Sequence, residues 1–195
     1  MKNLFKQHKD CTDLFCKLET LLKTNSTINV AIEGKSGSGK STLSDLLFDM
    51  YTCNVFHMDY FFLRPELKTE ERMKEVGGNV DYVRFNEEII NGLKSGLNFK
   101  YQIYDCKQMA LTEFINVKPK KLNIVEGVYS MHPTLINNYD LKVFLDIDEE
   151  KQKSRILERN GSFMYEKFIN EWIPKENQYF KEMKIPEKCD IIIHV

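Results

Sequence analysis

Long hydrophobic runs are missing from this 195-residue sequence, and its opening MKNLFKQHKD is too charged for a secretory h-region. A membrane-spanning helix needs ~20 apolar residues, so no membrane partner is expected. A surplus of one charge is missing too. The formal net charge of -1 supplies no basic field to hold a polyanion by counterion release, and nucleic acid is not an expected partner either. The cysteines, Cys11, Cys16, Cys53, Cys106 and Cys189, are odd in number and include no C-x-x-C pair. That argues against a disulfide framework or zinc knuckle and suits a reducing cytoplasm. His8, His57, His132 and His194 show no metal-ligand spacing and receive no role. No repeat, low-complexity tract or linker divides the chain, so residues 1–195 read as one domain.

Short apolar runs take the place of long ones. Ile28 to Ile32, Asn54 to Met58, Leu122 to Val125, Leu141 to Leu145 and Asp190 to Ile193 alternate with helical or polar stretches. Near-continuous apolar strands of this kind predict a parallel sheet covered on both faces. Leu14, Phe15, Leu18, Leu21 and Leu22 recur at helical spacing, giving an amphipathic helix within an N-terminal helical extension over 1–26. The charged stretch 64–79, closing on Gly77 and Gly78, predicts a mobile surface insertion. The aromatic residues Phe163, Tyr165, Phe168, Trp172, Tyr179 and Phe180 have the spacing of helical core packing.

One motif carries chemistry. Gly34-Lys35-Ser36-Gly37-Ser38-Gly39-Lys40-Ser41 meets G-x-x-x-x-G-K-[ST] in full, between a strand and a helix that continues through Thr42. Its glycines let backbone N–H groups turn inward, and the helix N-terminus adds its dipole, which together make a phosphate cradle for ATP. Lys40 is placed to bridge the β- and γ-phosphate oxygens, and Ser41 to offer its hydroxyl to Mg²⁺. Glu126 ends the Leu122–Val125 run at the sheet edge and is the second metal candidate. Absences narrow the class further: there is no N-K-x-D guanine-reading tetrapeptide, and no strand ends in the Asp-Glu pair of a motor ATPase. Arginine occurs only at Arg64, Arg72, Arg84, Arg155 and Arg159. The last two are four apart, on one helix face, and are catalytic candidates for closing over the phosphates. Pairing with Glu149, Glu150 or Glu158 is their alternative. Asp146 and Asp148 can cap the following helix as readily as touch a metal.

From about Ile28 to Ile193 the chain resembles the uridine kinase and phosphoribulokinase group of P-loop kinases. Met58-Asp59-Tyr60-Phe61-Phe62 is similar to a segment whose aspartate faces the acceptor hydroxyl, and Asn79-Val80-Asp81 to one whose aspartate grips a ribose diol. Tyr104-Asp105 resembles the element beside the base, and Ile124-Val125-Glu126-Gly127 the Leu-Glu-Gly strand. The resemblance implies Asp59 as catalytic base, with Asp81 and Tyr104 binding substrate. Two departures stand out: Cys106-Lys107-Gln108-Met109 lacks the group's base-reading histidine, and Arg159 is followed by Asn160-Gly161-Ser162 where an arginine-rich lid belongs.

The expectation is a cytoplasmic α/β protein with the P-loop NTPase fold, a five-stranded parallel sheet with helices on both faces, compatible with homo-oligomerisation. It would use ATP and Mg²⁺ to phosphorylate a small molecule, a uridine- or cytidine-type nucleoside first. Another ribosyl, sugar or vitamin-like alcohol is the alternative acceptor, and a non-catalytic ATP-binding regulatory module the alternative class.

Overall fold

A computed structural model describes residues 9–195. Residues 1–8, the start of the expected 1–26 extension, lie outside the described residues together with His8. Among the described residues seven strands follow in order: β1 (Ile28–Gly34), β2 (Cys53–His57), β3 (Phe99–Asp105), β4 (Ala110–Val117), β5 (Leu122–Glu126), β6 (Leu141–Asp146) and β7 (Ile191–His194). The helices are α1 (Lys9–Thr24), α2 (Lys40–Met50), α3 (Glu70–Lys74), α4 (Tyr82–Phe85), α5 (Asn91–Ser95), α6 (Glu149–Lys167) and α7 (Ile173–Glu182). π-turns join α4 to α5 and α6 to α7.

Five strands form one parallel sheet, as the apolar runs predict, and their order is β2-β5-β1-β6-β7. Strand alternation decides which residues face which layer. Ile28, Val30 and Ile32 join Leu43, Leu46 and Leu47 of α2 and Cys11, Leu14 and Leu18 of α1 in one buried cluster. Ala31 turns the other way, into a cluster with Phe56, Phe61, Phe85, Val125, Phe144, Tyr179 and Phe180. Leu14 and Leu18 are fully buried, and full burial of such a side chain is worth ~1.5–3 kcal/mol. The helix carrying them is therefore part of the domain's core. Among the described residues no helix is long and apolar enough to cross a membrane.

Parallel pairing brings every strand's C-terminal end to one edge. There Glu126 is in register with both Ile32 and His57, Leu145 with Gly34, and His194 with Asp146. Since β1 lies between β5 and β6, the loop after Gly34 emerges where successive crossovers leave in opposite directions. Open α/β sheets bind ligands at such switch points.

The β3–β4 antiparallel pair is an addition to the sequence reading. A register shift between Gln102 and Tyr104 lets Tyr101 and Tyr104 both turn inward although they are three residues apart. The bulge thus breaks the alternation that would announce a strand. The 64–79 segment holds a 3-10 turn (Pro65–Leu67) and α3. Arg72 fastens its end, donating to the Gly78 and Val80 carbonyls at 3.0 and 2.9 Å and lying 3.7 Å over the Tyr82 ring. One aromatic expectation is corrected. Tyr179 and Phe180 are core, but Phe163 is 73% exposed, because Gly161 at φ 73° breaks α6 two residues earlier.

The same alternation that buries Ala31 buries Glu33. Its carboxylate accepts from the backbone N–H groups of Gly34, Tyr129 and Met131 at 3.0, 3.2 and 3.1 Å, and from the Tyr179 hydroxyl at 3.2 Å. Burial outweighs these donors and pushes the carboxyl up to about 7 from 4.5. With the folded value above the unfolded one, the protonated group stabilises the fold fully below about 4.5, and that contribution is lost as pH rises through about 7. The window is worth at most about 3 kcal/mol. Urea unfolding should therefore show the stability of the wild type relative to Glu33→Gln to be greater at pH 5 than at pH 8. A pH-independent difference would mean that Glu33 does not titrate in this range.

Candidate active site

The loop from Gly34 to Ser41 sits against β6 so closely that only glycine fits its first position. A Cβ on Gly34 would fall 2.2 Å from the Leu145 carbonyl oxygen, and φ is 145°. At the other end Gly39, in the left-handed region at φ 97°, caps α2 without a side-chain hydrogen bond. The first N–H groups of a helix have no intrahelical acceptor, so those at the start of α2, from Lys40 to Thr42, point toward an anion site. Lys40 is buried, and its Nζ donates to the Gly34 and Lys35 carbonyls at 2.8 and 3.1 Å. Ser38 Oγ is buried and, among the described residues, without a hydrogen-bond partner. Uncommitted donors within a glycine cradle fit a polyphosphate.

Ser41 and Glu126 converge although 85 residues separate them. The Ser41 hydroxyl donates to both Glu126 oxygens at 3.3 and 3.4 Å. A hydroxyl and a carboxylate, with water for the rest, suit a hard cation such as Mg²⁺. His57, given no role from sequence, lies at the end of β2 in register with Glu126. Its Nδ1 is 2.6 Å from Glu126 Oε1, and that bond raises the imidazole above its usual value. Cross-strand register, invisible in a linear sequence, makes this contact.

Asp59 follows β2 in a 3-10 turn, Met58–Phe61. Among the described residues its carboxylate takes part in no hydrogen bond. Asp59 is exposed at the surface, yet desolvation by the surrounding protein raises its carboxyl above the usual range, with Glu126 adding to the rise and Lys40, His57 and Arg159 opposing it. Asp59 thus shares one electrostatic neighbourhood with Lys40, the metal candidate Glu126 and the lid candidate Arg159. The Asp81 N–H donates to the Phe61 carbonyl at 2.6 Å, tying the Asp59 and Asp81 segments together. Asp81 Oδ1 caps α4 through the Arg84 N–H at 3.1 Å, while Oδ2 stands 3.8 Å from Arg84 Nε without a hydrogen bond. Tyr104, buried on β3, feels Cys106, Glu66 and Arg64, and Cys106 in turn feels Asp59.

The lid candidates divide. Arg155 Nη1 donates to the Gly37 carbonyl at 3.2 Å, whereas Arg159 Nε bonds Asn160 and its charge reaches Asp59. Neither pairs with Glu149, which takes Lys153. Lys35 turns outward to Asp146 at 2.7 Å, and Asp146 also pairs with His194 at 3.3 Å. Asp148 caps α6, accepting from the Glu150 and Lys151 N–H groups at 2.9 and 3.3 Å.

Comparison with known proteins matches residues 29–163 to the Phosphoribulokinase / Uridine kinase family. The chain is 30% identical over 188 residues to a uridine kinase of Bacillus mycoides, covering 87% of this chain and 86% of that protein. A uridine kinase of Bacillus cytotoxicus matches with the same identity and coverage. In three dimensions it superposes, at a TM-score of 0.69 and 20% identity, on a structure described as a possible uridine kinase from Bacillus stearothermophilus, covering 93% of this chain and 96% of that one.

Proposed function

Because this chain belongs to the Phosphoribulokinase / Uridine kinase family, we propose that it transfers the γ-phosphoryl group of ATP to a hydroxyl of a uridine- or cytidine-type nucleoside. The observation that carries the reading is Asp59: among the described residues a carboxylate without a hydrogen bond, whose charge interacts with those of Glu126 and the cradle lysine. Phosphoryl transfer asks mainly for positioning and charge neutralisation. Gly34 to Thr42 receive the phosphates, Lys40 faces the β- and γ-oxygens, and Asp59 accepts the proton of the attacking hydroxyl. Arg155 and Arg159 bring positive charge from α6. Ser41 and Glu126 would hold Mg²⁺, which neutralises charge on the phosphate oxygens when bound.

His57 orients Glu126 for this task. His57→Ala should raise the Mg²⁺ concentration for half-maximal rate about tenfold, the usual scale for an outer-shell partner. An unchanged Mg²⁺ dependence would leave His57 as a packing residue.

Asp81 is the residue proposed to hold a vicinal diol. Asp81→Asn should weaken discrimination against a 2′-deoxy acceptor, measured as the ratio of kcat/KM for ribo- and deoxyribonucleoside, because a hydrogen-bonding site rejects the analogue that lacks the hydroxyl. An unchanged ratio would remove the diol from the assignment. A second acceptor class, another ribosyl, sugar or vitamin-like alcohol, is favoured by the 106–109 turn, whose Cys106 and not a histidine lies in reach of Asp59. An ADP-release screen with ATP and Mg²⁺ against nucleosides and such alcohols decides between them. Absence of ADP release with every acceptor of both classes would count against the kinase reading and for the regulatory module.

A further inference from the structure

Three side chains from the lid side of the molecule grip the crown of the phosphate loop. Glu176 of α7 is 5% exposed, and both its oxygens go to one residue: Oε2 accepts the Ser36 N–H at 3.0 Å and Oε1 the Ser36 hydroxyl at 2.5 Å. Gln152 of α6, also buried, donates to the Ser36 carbonyl at 2.9 Å. Arg155 donates to the next carbonyl, that of Gly37. The peptide groups on both sides of Ser36 are thereby fixed from outside the cradle. A buried carboxylate is costly unless fully hydrogen-bonded. Glu176 meets that cost at one point of the loop, and its charge lies within reach of Lys40 and Asp59. The inner half of the cradle, from Gly39 onward, is held differently, by α2 itself.

We propose that Glu176 is a positioning residue that sets the orientation of the Ser36 peptide, and with it the seat of the γ-phosphoryl group, while the inner N–H groups that receive the β-phosphate do not depend on it. This rests on the phosphotransferase reading. Because α6 and α7 supply the grip, any movement of these helices is passed to the phosphate loop.

The test measures binding of Mg-ADP and of a non-hydrolysable ATP analogue by calorimetry, together with ATP turnover, in wild type, Glu176→Ala and Glu176→Gln. Glu176→Ala should weaken the triphosphate analogue about tenfold and lower kcat about tenfold, while ADP affinity moves less than about threefold, because misplacement is felt most at the reacting end. Glutamine can accept the Ser36 N–H through its carbonyl and donate to Ser36 Oγ through its amide, so Glu176→Gln should recover most of the loss. If the alanine variant does not fold, Gln152→Ala frees the peptide on the other side of Ser36 and should show the same triphosphate-selective loss. Tighter triphosphate binding in both Glu176 variants would overturn the proposal, since the carboxylate would then be an anion competing with the nucleotide. Equal losses of ADP and analogue, not restored by glutamine, would overturn it as well. A wild type that binds both nucleotides but phosphorylates no acceptor would count against the proposed function, and the binding comparison would still decide the role of Glu176.

Discussion

Asp59→Asn is expected to lower kcat by ~10²–10⁴, the usual contribution of a general base, with ATP affinity close to wild type. Asparagine keeps the size and polarity of the side chain but cannot take the proton of the attacking hydroxyl. Among the described residues the carboxylate has no structural bond to lose, since it is neither a helix cap nor an ion-pair partner within hydrogen-bond distance. The fold should therefore survive the exchange, and thermal unfolding of the variant should match the wild type. Asp59 also carries a raised carboxyl, chiefly through desolvation and then through Glu126, which brings its basicity closer to that needed near neutrality. Steady-state kcat with the acceptor found by screening, together with ATP binding in its absence, makes the measurement. Near-wild-type kcat in Asp59→Asn would sink the base assignment.

Lys40→Ala should reduce kcat/KM for ATP by ~10²–10³, on the scale of losing one preorganised stabilising donor. Lys40 is the loop's inward cation, and without nucleotide its ammonium is held by the Gly34 and Lys35 carbonyls. Binding phosphate exchanges these two carbonyls for anionic oxygens, so the charge is already in place when it is needed. Lys40→Arg should not restore activity, because a planar guanidinium is larger than the ammonium and differently shaped. Single-turnover measurements at saturating acceptor isolate the effect. Full activity in Lys40→Ala would end the reading of Gly34 to Ser41 as the phosphate cradle.

Local sequence determined the frame. The apolar runs identify five strands because the central strands, buried on both faces, leave almost no polar positions to confuse the pattern, and the edge strand β7 keeps an isoleucine even at the exposed Ile192. G-x-x-x-x-G-K-[ST] identifies the cradle because its chemistry is made by consecutive backbone groups. The candidates Ser41 and Asp59 also come from the sequence, the first within that motif and the second in a segment resembling a known family. Tertiary structure alone decided the partners. His57 reaches Glu126 through strand register, Arg155 and Gln152 reach the loop from α6, and Glu176 reaches Ser36 across 140 residues. Such contacts arise only once parallel strands bring their ends to a common edge and helices fold back over it. No spacing along the chain encodes them. The bulge that turns Tyr101 and Tyr104 inward together and the glycine break that exposes Phe163 belong to the same class, since each overrides a periodicity with one local backbone choice.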